Sequence, residues 1–78
     1  ILLDKQGPES IREAITNRVQ EDGDSRVADL HLWSIGPSMY ALMLSVVARD
    51  PKTVNQYKAR IPNNLGLAHV SIEVHTAP

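Results

Sequence analysis

The chain has 78 residues, eight Lys and Arg against nine Asp and Glu for a formal charge of −1, and no cysteine. One small domain with a thin stability margin is all that such a length holds. The lack of cysteine excludes a disulfide scaffold, a thiolate zinc finger, an iron–sulfur site and a cysteine nucleophile, and a pI of about 6.3 opposes nucleic acid as a partner.

Residues 1–7 read as a lead-in, and a chain opening at Ile1 without an initiator Met reads as a piece of a longer protein. Pro8 suits the first turn of a helix, where its missing N–H costs nothing. Ile11, Ala14, Ile15, Arg18 and Val19 then recur at helical spacing, with Glu9, Arg12, Glu13 and Asn17 on the outward side. Glu21-Asp22-Gly23-Asp24 supplies the stop, so the first helix is expected over Pro8 to Glu21. Val27 to Ile35 alternates as a strand, Gly36-Pro37-Ser38 breaks it, and Met39 to Arg49 is a second strand joined by a hairpin. Asp50 as N-cap and Pro51 as first helical residue open a second helix. Its inner stripe is Val54, Tyr57, Lys58 and Ile61, and Pro62-Asn63-Asn64 ends it. A last strand is expected over Leu67 to His75. No apolar run approaches the roughly 18 residues that span a bilayer.

The order α-β-β-α-β predicts an α+β domain covering residues 1–78, with a three-stranded sheet, the middle strand central, and two helices on one face. Strand parity then sorts the side chains. Ala28, Leu30, Leu32, Tyr40, Leu42, Leu44, Val46, Ala48, Val70, Ile72 and Val74 form an apolar set for the helix side. The other face carries Asp29, His31, Trp33, Met39, Ala41, Met43, Ser45, Val47, His69, Ser71, Glu73 and His75. All three histidines of the chain fall there.

A face bearing Trp33, Met39, Met43 and Val47 is too apolar to stay in water, and subunit contact through it is the plain reading. The sharper reading is a divalent-metal site. Asp29 and His31 stand at i and i+2 on one strand, and His69, Glu73 and His75 at even spacing on another. Imidazole with carboxylate suits zinc, cobalt or nickel. His69 and His75 are six residues apart, about 20 Å along a strand, so one ion cannot hold both within one subunit. Two sites follow, or one completed across a dimer: His69 with Glu73 at one end, joined by His31 or Asp29 from a neighbouring strand or subunit, and His75 at the other end. Catalysis finds no support, since there is no nucleophile elbow and no glycine-rich phosphate loop. Sheet-face RNA binding would need more aromatics than Trp33 and a basic rim.

The run Val27-Ala28-Asp29-Leu30-His31-Leu32-Trp33-Ser34-Ile35-Gly36-Pro37, followed by Gly66-Leu67-Ala68-His69-Val70-Ser71-Ile72-Glu73-Val74-His75, resembles the cytoplasmic C-terminal domain of cation diffusion facilitator transporters. Together with the opening Ile1-Leu2-Leu3-Asp4 and the helix after Pro8, the resemblance covers essentially the whole chain, and its wording is nearest the bacterial cobalt- and nickel-efflux subgroup. It implies a metallochaperone-like (ferredoxin-like) domain on the cytoplasmic face of the cell membrane. Such a domain is not an enzyme, forms a homodimer, and binds Zn, Co or Ni near the dimer interface to favour transport. No organic cofactor and no nucleic acid are expected, and the membrane is reached only through transmembrane helices outside this chain, itself a soluble piece. His69 and Glu73 fall where other members place a His and an acidic ligand, and His75 matches the last-strand His. Ala28, Arg12 and the Thr76-Ala77 pair stand where some members carry further ligands. The resemblance therefore implies a sparser site than the family's binuclear one. A free-standing metallochaperone-like or ligand-sensing module of the same fold is the alternative reading.

Overall fold

All five expected elements form within residues 8–78, which the structure, a computed structural model, describes. The lead-in at 1–7, with its Ile1-Leu2-Leu3-Asp4 phrase, lies outside the described residues. Helix α1 runs Glu9–Val19. Pro8 stands just before it with ψ of 146°, and its carbonyl accepts from the N–H groups of Ile11 and Arg12 at 3.1 and 3.3 Å. Ile15 and Val19 are fully buried and Ile11 packs beside them. Arg18, expected in that stripe, is instead exposed and lies 3.5 Å from Glu21. Position 18 precedes the buried Val19 and turns out to water, where its charge stays solvated. A 3-10 turn, Gln20–Asp22, and Gly23 at φ 80° finish the helix.

Strands β1 (Arg26–Gly36) and β2 (Met39–Ala48) pair antiparallel, and β2 pairs in parallel with β3 (Leu67–Thr76), so β2 is central. Between β2 and β3 the second helix, α2 (Val54–Arg60), crosses the sheet. Both helices cover the same face, where Ile15, Val19, Leu32, Leu42, Leu44, Val46 and Tyr57 form the core. Tyr40, Leu30, Val70, Ile72 and Val74 pack against that core as parity expects. The result is a ferredoxin-like α+β arrangement with one sheet face uncovered.

Further details differ from the sequence expectation: of the stripe expected inside α2, Val54 and Lys58 are exposed while Tyr57 is buried. Asp50 and Pro51 do not begin α2; Thr53 caps it, with its hydroxyl accepting from Gln56 N–H at 3.1 Å and Gln56 Oε1 accepting from Thr53 N–H at 2.9 Å. The residues before it have other partners. The Asp24 carboxylate accepts from Arg49 and Asp50 N–H at 3.1 and 2.9 Å, and the Tyr57 hydroxyl accepts from Lys52 N–H at 3.1 Å. The stretch is thereby held as a link until Thr53. Ala28, expected inside, is exposed, while Val27 packs on the core. A bulge causes the exchange: Val27 pairs with Val46 and Asp29 with Ser45, which leaves Ala28 unopposed.

Candidate functional site

The register lays the uncovered face out in four rows across the three strands. Arg26, Val47 and His75 form the first, and Asp29, Ser45 and Glu73 the second. His31, Met43 and Ser71 form the third, and Trp33, Ala41 and His69 the fourth. Met39, opposite Gly36, closes the hairpin end. The face thus divides along its length. Toward the hairpin it is apolar, with Trp33 37%, Met39 46% and Met43 49% exposed, beside Ile35 at 43%. Toward the other end it carries Asp29, Glu73, His75 and Arg26. Val47 is half-buried and flanks the charged rows rather than the apolar end.

Two His–carboxylate pairs stand on this face. His31 Nε2 lies 2.9 Å from Asp29 Oδ2, and His75 Nε2 lies 3.3 Å from Glu73 Oε1. Each pair is built by one strand at i and i+2, the spacing that sends both side chains to the same side. One separation also suits chemistry. Ligand atoms about 2.1 Å from one ion at octahedral or tetrahedral angles are about 3.0–3.4 Å apart. The His75–Glu73 separation falls in that range, whereas His31 and Asp29 at 2.9 Å are directly hydrogen-bonded; carboxylate with imidazole is a donor set for Zn, Co or Ni.

The strands keep the two pairs apart. Asp29 and Glu73 flank Ser45 from opposite neighbours, lining a shallow depression of about 110 Å³ with His31, Met43 and Ser71. His31 stands one row to the hairpin side of Asp29 and His75 one row to the other side of Glu73. His69 sits in the Trp33 row, four residues or about 13 Å from Glu73 along β3. Among the described residues no three His, Asp or Glu side chains gather around one position. The expected combination of His69 with Glu73 is thus not assembled inside one chain. A third and fourth donor would have to come from a second copy or from water.

Arg26 joins this face without having been expected there. Parity counted back from Asp29 assigns it to the helix side, and the Ala28 bulge reverses that assignment. An alternating strand preceded by a turn gives no sequence mark of such a bulge. No family model matches the chain, and no curated protein shows significant similarity to it. No helix among the described residues is long and apolar enough to cross a membrane.

Proposed function

We propose that this chain is the cytosolic regulatory and dimerisation domain of a proton-coupled divalent-cation exporter of the cation diffusion facilitator type. In this reading it forms a homodimer through the helix-free face and binds Zn, Co or Ni there to favour the transporting state. One observation carries the reading: a single uncovered face holds both an apolar patch and two adjacent His–carboxylate pairs. The apolar end supports subunit contact. The two-donor pairs support metal binding that is completed only when copies meet, which is how a metal would tighten a dimer. The D-L-H-x-W phrase at residues 29–33 and the G-L-x-H-V-x-I-E-V-H phrase at 66–75 supply the transporter part of the proposal.

Thermal unfolding with added metal tests it. A ligand at a hundredfold excess over its Kd stabilises by about 2.7 kcal/mol, which raises Tm by several degrees in a domain of this size. Zinc, cobalt or nickel should do so, and magnesium, which prefers oxygen ligands, should not. His31→Ala and His75→Ala should each reduce the zinc shift while leaving the metal-free Tm unchanged, because both side chains are exposed. Equal shifts from magnesium and zinc, or full zinc shifts in both variants and in His69→Ala, would remove the metal from the proposal. The coding sequence upstream of Ile1 tests the transporter itself, where about six hydrophobic spans are expected.

A further inference from the structure

The two edges of the sheet are treated differently. On the outer edge of β1, Val27 N–H donates to Gln20 Oε1 at 3.0 Å and Leu30 O accepts from Arg12 at 3.3 Å. The Ala28 bulge interrupts the same edge. Side chains and a bulge of this kind are how an edge is closed to further pairing. On β3 the register shift lies at Ala68, at the start of the strand, and beyond it the outer edge has none of these devices. From His69 to Thr76 it keeps unbroken register with β2 and contains no proline and no lysine. Among the described residues no side chain bonds to its backbone. Ala77 N–H reaches Ala48 O at 2.8 Å, so the two-residue period turns the backbone groups of Val70, Ile72 and Val74 away from β2.

We infer that β3 is an acceptor edge for the same strand of a second copy, paired antiparallel about a two-fold axis at Ser71. Charge and overlap together select the occupant and the register: a two-fold at Val74 would also oppose Glu73 and a partner His75, but only the axis at Ser71 pairs nearly the whole of β3. With Ser71 opposite the partner's Ser71, the exposed His69 lies opposite the partner's Glu73, and Glu73 opposite the partner's His69. Two imidazole–carboxylate contacts form at once, each favourable across strands. Val70 and Ile72 then exchange the main-chain bonds with the partner's Ile72 and Val70. A slip of two residues sets His69 against the partner's His75 and leaves Glu73 against Ser71. A further slip sets Glu73 against its own copy, which is destabilising. Pairing about a two-fold axis uses the same edge on both copies, so this contact closes at two copies with a six-stranded sheet, and the β1 edges, interrupted from Val27 to Leu30, offer a poorer template. The contact is separate from the face proposed above, since it uses the strand edge and leaves Trp33 and Met43 uncovered.

The cysteine-free chain makes the test clean. Opposed residues of a non-hydrogen-bonded antiparallel pair have Cα atoms about 4.5 Å apart, within disulfide reach. Mixed under mild oxidant, the His69→Cys and Glu73→Cys chains should cross-link to each other, and neither should cross-link to itself. The amides of Val70 and Ile72 should exchange at least tenfold more slowly in concentrated than in dilute unmodified protein. Met43→Glu, which alters the face alone, should leave the cross-link in place. Absence of the mixed cross-link, exchange at Ile72 that ignores concentration, or loss of the cross-link in Met43→Glu each overturns edge pairing. Covering of the open face is read independently from Trp33 emission, so either contact can fail without the other.

Discussion

Asp22 shows how much of this small domain rests on one carboxylate. Its oxygens accept from Ser25 N–H at 2.7 Å, Ser25 Oγ at 2.7 Å, Asp24 N–H at 2.9 Å and an Arg60 guanidinium N–H at 2.9 Å. A carboxylate only accepts, so Ser25 Oγ spends its proton on Asp22. The 2.7 Å contact between Ser25 and Tyr57 must then be donated by the tyrosine, whose oxygen accepts in turn from Lys52 N–H. Ser25 and Tyr57 are both fully buried, and the relay leaves neither hydroxyl without a partner. The Ser25 N–H bond, then the Ser25 hydroxyl, hold the Asp22 carboxyl well below the usual carboxylate range. Asp24 is lowered too, first by Asp50 N–H and then by Arg49 N–H. A lowered folded-state value stabilises the fold above the unfolded carboxyl range near pH 4, and that stability is lost as pH falls through it. Tm should therefore drop between about pH 5 and pH 2. Asp22→Asn should lower Tm at pH 7 and flatten that acid slope, and Asp22→Ala should cost about 2–3 kcal/mol by stranding Arg60 and the Ser25 donors. An acid slope unchanged in Asp22→Asn would assign it to other carboxylates. From sequence, the Glu21–Asp24 stretch was legible as a helix stop. The relay was not, because Ser25 and Tyr57 are 32 residues apart.

At the scale of elements, order and type could be read almost completely, and the losses came where a distant group claimed a local one. Alternation in β1, β2 and β3 and the 3.6-residue stripe of α1 are strong periodic signals. The start of α2 was misplaced because Asp50-Pro51 carries good capping chemistry, yet the Asp50 N–H is bound by Asp24, 26 residues away. The correct mark was present three residues on as Thr53-Val54-Asn55-Gln56, the capping-box pattern. Loop glycines divide similarly. Gly23 and Gly66 both have positive φ, of 80° and 75°. Around Gly23 an added Cβ would meet nothing within 4 Å, whereas at Gly66 it would collide with the Ser38 carbonyl oxygen. That carbonyl belongs to the β1–β2 turn, and Gly66 O accepts from Tyr40 N–H at 2.9 Å, so the loop entering β3 is wedged against the hairpin. Gly23→Ala should thus cost about 1–2 kcal/mol, the left-handed penalty alone. Gly66→Ala should cost clearly more in a parallel denaturant titration, because backbone must move as well. Equal losses would mean that the hairpin turn yields freely.

The whole molecule is longer than its chain length suggests. Its radius of gyration is 12.6 Å and its longest extent 44 Å, against about 11.5 Å expected for a compact chain of this length. Strands of ten and eleven residues extend past helices of eleven and seven, so the hairpin end has little cover. The candidate face was legible in outline because parity alone places His31, Trp33, Met43, His69, Glu73 and His75 on it. Its division into an apolar and a charged end, and the separation of His69 from Glu73, needed the register. Trp33 is the only tryptophan in the chain and stands at the apolar end, 37% exposed, so its emission reports whether that end is covered. If copies meet through this face, emission should lie at long wavelength in dilute solution and move to the blue as concentration rises. Tm should rise with it, because a folded dimer is stabilised by mass action. Met43→Glu places a charge in the middle of the contact, where desolvating an unpaired carboxylate is costly. Met43 is 49% exposed in the single chain, so this variant should keep the dilute-solution Tm and abolish both concentration effects. Trp33 emission that stays at long wavelength up to millimolar protein would show that this face remains in water, and the dimer would then have to be sought elsewhere on the molecule.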